Sequence, residues 1–239
     1  MNTEFRIHKW DILEQLATSP ILVDQVYRQL LGAIADRTLP PGQRILQAEL
    51  AASLGVSRQP VSHALQLLKH QGLVQDSGRQ GLEVTPIDPR RIRQLYEVRG
   101  ALDALAARLA ANRVTDRCVA PDMLDELRAS LCAGDALGPQ AELNRLVQAD
   151  VTFHQVLYRL SGNPAILETI AAQWPHLRRS MGAVLEADSY RRRAWAEHAD
   201  IARSILAGDA DAAGLAAYEH AENAGKLTEQ RLLREEPSG

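Results

Sequence analysis

The sequence predicts a mainly α chain, with an N-terminal winged helix-turn-helix followed by a C-terminal antiparallel all-helical bundle. Three observations predict it. First, Gln47 to Val74 reads as two short helices joined by a tight turn, the second running into a small strand, a layout that presents one helix to a DNA major groove. Second, beyond Pro86 and Pro89 helical patterns follow one another almost without strands. Third, Leu and Ala dominate the apolar residues, with only two Phe and three Trp, which suits packed helices better than an aromatic-lined sheet.

The elements follow in order. Residues 1–20 form a polar extension ending at Pro20. Leu22, Val26, Leu30 and Ile34 recur at helical spacing, and Leu39-Pro40-Pro41-Gly42 stops that helix in a turn. Glu49, Leu50, Ala51 and Leu54 make a second helix, closed near Gly55. Ser57 is placed to cap a third, with Pro60 in its first turn; Val61, Ala64, Leu65 and Leu68 form its inner face and Gly72 closes it. Leu73–Asp76 and Leu82–Thr85 then read as a hairpin turning at Ser77–Gly81. The winged domain is thus expected over 21–86. The remainder, 87–239, is expected as a domain of six helices, near 89–112, 120–133, 140–160, 164–184, 189–207 and 210–235.

Charge restrains the DNA reading without removing it. The net charge is -3, and residues 1–86 carry eight Lys/Arg against eight Asp/Glu. A neutral reading domain gains affinity by acting twice, so a homodimer on double-stranded operator DNA is expected. Cys118 and Cys132 fit no metal finger and no disulfide scaffold, and are expected as buried, reduced thiols of a cytoplasmic protein. No apolar run is long enough for a bilayer and no signal-peptide core opens the chain, so no membrane partner is expected.

Ser57-Arg58-Gln59 opens the recognition helix, where side chains reach base edges. Arg58 is the foremost base-reading candidate, because a guanidinium matches guanine bidentately. Gln59, Ser62 and His63 are shorter polar candidates on the outer face, and Lys69 a backbone contact or a solvated side chain. Gly78, Arg79 and Gly81 suit a wing tip, with Arg79 directed to a minor groove. The bland alternative is a winged helix used for protein contact.

In the second half, Asp150 and His154 are four apart and share a helix face, while His198 and His220 lie on two later helices. A carboxylate and three imidazoles from three helices can converge on a transition metal. Without thiolate, the set suits one divalent ion; zinc, nickel, manganese and iron all fit, and the residues alone do not choose among them. Surface histidines and helix caps are the structural alternatives. Asn163 is read as the cap of the helix beginning at Pro164. Tyr158, Trp174, Trp195 and Tyr218 are read as core or pocket wall, and Arg191-Arg192-Arg193 as a solvated helix face.

Residues 21–86 resemble the DNA-binding domain of GntR-type bacterial transcription regulators, through Leu39-Pro-Pro-Gly-Gln-Arg-Ile45, Glu49-Leu-Ala-x-x-Leu-Gly-Val-Ser-Arg-x-Pro-Val61, Ala64-Leu65 and Gly72-Leu-Val74. Residues 92–225 resemble the helical ligand-binding domain of the FadR branch, in its shorter VanR-like six-helix form. That match rests on Tyr96-Glu-Val-Arg99, Ala106-Ala107-Arg108-Leu109-Ala110, Asp150-x-x-Phe-His154, Leu160-Ser-Gly-Asn-Pro164, and Glu197-His198 through Gly208-Asp209 to His220. The resemblance implies a metabolite-responsive dimeric regulator, most often a repressor released by its effector, with 87–239 as its helical effector-binding and dimerisation domain. It supports Asp150, His154, His198 and His220 as metal ligands and Arg99 as the arginine projecting toward the pocket. With a metal, Arg99 favours a small organic acid as effector; Arg145 and His176 are further pocket candidates. The family usually has Arg-Glu after Pro-Val, where this chain has Ser62-His63, and often a DNA-contacting Arg just before Glu49, where it has Gln47-Ala48.

Two other readings compete: a metal-dependent enzyme with a winged-helix appendage, and a protein-interaction module with a structural metal. The first lacks a convincing nucleophile or acid–base pair. The second leaves the arginine-bearing recognition helix unused.

Overall fold

The computed structural model describes residues 20–78, 81–138 and 140–235. The N-terminal extension, Arg79 and the last four residues lie outside them. The first helix, α1 (Pro20–Ala35), turns Val26, Leu30 and Ile34 inward. It leads to β1 (Arg44–Ile45), α2 (Gln47–Leu54), α3 (Arg58–His70), β2 (Val74–Asp76) and β3 (Leu82–Val84). Gly55 ends α2 at φ 66°, a left-handed conformation that favours glycine, and the N–H of Val56 returns to the Ala51 carbonyl at 3.0 Å. Val61, Ala64, Leu65 and Leu68 of α3 are fully buried, as the periodicity requires. Each of the three larger side chains contributes roughly 1.5–3 kcal/mol of burial free energy.

The wing is a three-stranded antiparallel sheet in the order β1-β3-β2, in which Arg44 pairs with Glu83 and Val74 with Val84. The sequence hairpin gave β2 and β3 alone. A two-residue strand is too short to show alternation, so β1 was not legible. Ser57 stands at the N-cap of α3 with extended backbone, yet its side chain makes no capping bond. Pro60, at the third helical position, has no N–H to offer, which removes one of the two donors a capping hydroxyl uses.

The second half contains seven helices among the described residues: α4 (Pro89–Thr115), α5 (Pro121–Asp135), α6 (Leu143–Leu160), α7 (Pro164–Ala171), α8 (Trp174–Leu185), α9 (Asp188–Leu206) and α10 (Ala210–Glu235). The expected helix over 164–184 is broken in two. Pro175 cannot donate to the Ala171 carbonyl, and its ring crowds that position. Asp88 caps α4, its Oδ1 accepting from the N–H groups of Arg90 and Arg91 at 2.9 and 3.3 Å. Asn163 caps α7 by accepting from the Ala165 N–H at 3.2 Å.

Helix α4 runs along α10 and also meets α6, α8 and α9, so it forms the axis of the bundle. Buried Ala106, Ala107, Ala110, Ala213, Ala217 and Ala221 keep the α4–α10 seam thin, and this is the use of the Ala-rich composition. Close approach is sharpest at Gly134 of α5, where an added Cβ would lie 1.9 Å from Cη2 of the Trp195 ring. The rigid indole has no flexible end to withdraw. Gly134→Ala should therefore destabilise the chain by on the order of 1–3 kcal/mol, seen as a thermal midpoint lower by several degrees; an unchanged midpoint would contradict this packing.

Three side-chain expectations fail here. Cys118 and Cys132 are exposed, on the loop after α4 and the outer side of α5. Arg191 is buried, and its guanidinium donates to the Leu185 and Glu186 carbonyls at 2.9 and 3.2 Å, closing the end of α8; only Arg192 and Arg193 face solvent. Tyr158, Trp174 and Trp195 are buried as read, whereas Tyr218 is exposed.

Candidate metal centre and DNA-reading face

Helices α6, α9 and α10 bring Asp150, His154, His198 and His220 together inside the bundle, all four buried. One potential ligand atom from each lies within 4.8 Å of the others. The Nε2 atoms of His198 and His220 are 3.0 Å apart, His198 Nε2 is 3.7 Å from Asp150 Oδ1, and His154 Nε2 is 4.0 Å from Asp150 Oδ2. Imidazoles bound to one metal at about 2.0–2.1 Å place their nitrogens roughly 3 Å apart, so the spacing fits a shared ion. His154 Nε2 is buried with no hydrogen-bond partner among the described residues, as a free ligand lone pair would be. Burial first, then the neighbouring His220, His154 and Arg99, pushes His198 well below the usual histidine range; burial and Arg99 also lower His154. Neutral imidazole is the form that ligates.

The shell around these residues orients them. His220 Nδ1 is 2.8 Å from Glu197 Oε2, and His154 Nδ1 is 3.4 Å from Asp103 Oδ2. A carboxylate behind a ligating histidine fixes ring orientation and raises basicity. Phe153 stacks on His198 with ring centroids 4.2 Å apart, and Trp195 meets the same imidazole edge-on at 4.8 Å. The contact at Gly134 is therefore only one ring removed from the site.

Arg99 comes from α4 and is 1% exposed. Its Nε donates to Asp103 Oδ2 at 3.3 Å, and Nη2 lies 3.8 Å from Asp150 Oδ2. Burial opposes its charge, but Asp103 and Asp150 prevail and hold the guanidinium above its ordinary pKa. Asp103 also accepts from the Tyr158 hydroxyl. Burial raises its pKa, while His154, Arg99 and these hydrogen bonds bring it down to about 2. Arg99 Nη2 and Trp174 Nε1 are both buried donors without a hydrogen-bond partner, and the Arg99 guanidinium lies 5.3 Å from the Trp174 ring. Unpaired donors beside a cluster of metal-ligand type suit an anion with acceptor oxygens.

Sequence reasoning missed Asp103 and the donor role of Trp174. Asp103 stands four residues after Arg99, a helical ion-pair spacing that was a usable signal. Glu197 was visible only as the neighbour of His198.

Two candidates are not brought to this site. Arg145 is exposed on α6. Five helical residues turn the face by about 140°, so Arg145 points away from Asp150. His176 faces the N-terminal half instead, its Nε2 lying 3.0 Å from the Gln71 carbonyl oxygen.

On the N-terminal half, Arg58, Gln59 and His63 are exposed along the outer side of α3, and Ser62 is half-buried there. Gly78 turns at φ 62° in the wing; Arg79 next to it lies outside the described residues. Lys69 Nζ is 2.7 Å from both oxygens of Asp76. That pair is exposed and worth little, so a phosphate can compete for it.

The family model "Bacterial regulatory proteins, gntR family" matches residues 22–84, and the FCD domain model matches residues 94–223. The chain belongs to the GntR family. An uncharacterised HTH-type transcriptional regulator from an unstable DNA locus of Streptomyces ambofaciens is 33% identical to this GntR chain over 200 residues, 82% of this chain and 80% of its own. The transcriptional repressor RspR of Escherichia coli K12 is 25% identical over 225 residues, covering 94% and 95% of the two chains. The solved structure of E. coli McbR/YncC superposes on the GntR chain with a TM-score of 0.73 at 21% identity, over 90% of this chain and 99% of the other. That likeness is one of fold. The chain is a DNA-binding transcription regulator with an FCD domain, and no helix among its described residues is long and apolar enough to cross a membrane.

Proposed function

We propose that this regulator is a homodimeric repressor, released from its operator when a small carboxylate occupies the α4–α6–α9–α10 site. Asp150, His154, His198 and His220 would hold one divalent ion, with zinc favoured. When bound, the ion supplies open coordination for a carboxylate oxygen. Arg99 supplies a second, charge-assisted contact through Nη2, and Trp174 a neutral donor. The observation that carries this reading is the buried Asp-His-His-His cluster with, at its edge, a guanidinium nitrogen that has no hydrogen-bond partner among the described residues. The repressor sense follows the family resemblance. It is tested by operator binding of the zinc-loaded chain during titration with a panel of di- and hydroxycarboxylates. One acid should release DNA at a concentration matching its calorimetric affinity, and release by none would reject the proposal.

The surface supports a dimer. Val98 and Leu105 on α4 and Leu215 and Tyr218 on α10 are 45, 44, 56 and 45% exposed on these two adjacent helices. An apolar face of this kind marks an interaction surface. Replacing Leu105 and Leu215 together by Glu should halve the mass seen by light scattering and weaken operator binding by removing the second half-site contact. A wild-type monomer at operator-binding concentration would contradict the dimer.

On the DNA side, Arg58 is the assigned base contact. Arg58→Ala should lose on the order of 1–3 kcal/mol of discrimination between operator and random duplex. Lys69→Ala should weaken binding on all sequences and lower the salt dependence. Fluorescence anisotropy separates the two patterns, and undiminished discrimination by the Arg58 variant rejects the assignment.

A further inference from the structure

We propose a second ligand site in the cleft between the two halves of the chain, one that takes a small phosphate-bearing anion. The cavity has a volume of about 590 Å³ and is bounded by the end of α3, the segment after β3, the start of α4 and the side of α8. Its size is that of an ordinary metabolite pocket. It is distinct from the metal cluster, whose ligands are not among its lining residues.

The lining is strongly basic. Arg90, Arg91 and Arg179 contribute guanidinium groups, and His70 and His176 add imidazoles. Asp88 is the single carboxylate residue in the lining, and one of its oxygens already caps α4. The Arg90 and Arg91 residues are exposed, and among the described residues neither side chain has an acidic partner.

Arg179 is the decisive residue. It is 3% exposed, and among the described residues its guanidinium donates only to main-chain carbonyls, those of Thr85 at 2.7 Å and Pro86 at 3.4 Å. Its Nε is buried without a partner. Burial alone pulls its pKa down to about 10, since no carboxylate offsets the desolvation. A buried, uncompensated guanidinium is costly, and its planar fork matches phosphate oxygens. Neutral donors would have sufficed to hold two carbonyls. Three arginines from two helices instead form a cleft whose charge suits an anion.

Position gives the site a consequence. Arg179 and Trp174 lie on the same helix, α8, and Trp174 flanks Arg99. His176 and Arg179 already tie α8 to the N-terminal half through Gln71, Thr85 and Pro86. An anion bound across this joint restrains how the DNA-reading half sits on the bundle, and so couples to operator affinity.

Isothermal titration of the full chain with inorganic pyrophosphate tests the site. The expected result is saturable binding of one pyrophosphate per chain. Arg90→Gln with Arg91→Gln should weaken it at least about tenfold while leaving the ligand-free thermal midpoint unchanged, because both side chains are exposed. His198→Ala with His220→Ala should leave the affinity unaltered. No saturable binding at millimolar pyrophosphate overturns the proposal, as does binding that survives loss of Arg90 and Arg91. Binding lost with the histidines would place the anion at the metal cluster and overturn it too. Arginine-dependent binding of random duplex DNA without binding of pyrophosphate would assign the cleft to the DNA backbone instead.

Discussion

Arg99→Ala is expected to lower the unfolding free energy by on the order of 3–5 kcal/mol and to raise sharply the carboxylate concentration needed to release DNA. Both effects come from one guanidinium. It is almost fully buried and bonded to Asp103, with Asp150 at 3.8 Å on its other side. Removing it leaves two buried carboxylates with one less cation between them, and the site cannot collapse because Tyr96 and Trp174 flank the gap. Exposed pairs such as Arg203 with Asp200 offer the contrast, and Arg203→Ala should have little effect. Arg99→Met combined with Asp103→Asn removes both partners of the pair and should recover part of the lost stability, though not effector affinity. Urea denaturation reads the first effect and calorimetry with the releasing acid the second. Wild-type stability and wild-type acid affinity in Arg99→Ala would remove Arg99 from the site.

Much of this arrangement was legible in the sequence because it rests on periodicity. The inner face of α3 and the Asp150–His154 pair follow from helical spacing alone. That His198 and His220 meet them is a matter of tertiary packing, and only the resemblance to a family pointed to it. Signals carried by single residues were read less well. Pro175 divides an otherwise continuous helix, and Pro60 deprives Ser57 of a capping donor. Arg145 lies near Asp150 in the sequence, but a five-residue step along the helix turns it away. His176 and Arg191 show the deeper limit. Their partners are main-chain carbonyls of other segments, which no side-chain pattern announces. Asp103 and Glu197 stand behind His154 and His220, where only assembled helices reveal a second carboxylate.

The largest expected effect on the chain's chemistry is that of His198→Ala combined with His220→Ala. These residues supply two of the four candidate ligands and the shortest contact in the cluster, 3.0 Å between their Nε2 atoms. Asp150 and His154 alone give two ligands, with His154 Nε2 still 4.0 Å from Asp150 Oδ2, too few for a retained ion. The shell is cut as well, since Glu197 loses the imidazole it orients. The ion should also stabilise the wild-type fold, by about 2.7 kcal/mol at a hundredfold excess over its dissociation constant, and that increment should vanish in the variant. The N-terminal half should stay folded, because its apolar cluster contains neither histidine. Elemental analysis after removal of loosely held metal is the direct measurement. One divalent ion per wild-type chain and almost none in the double variant is the expected result; the same metal content in both proteins would contradict the metal centre and the carboxylate site built on it.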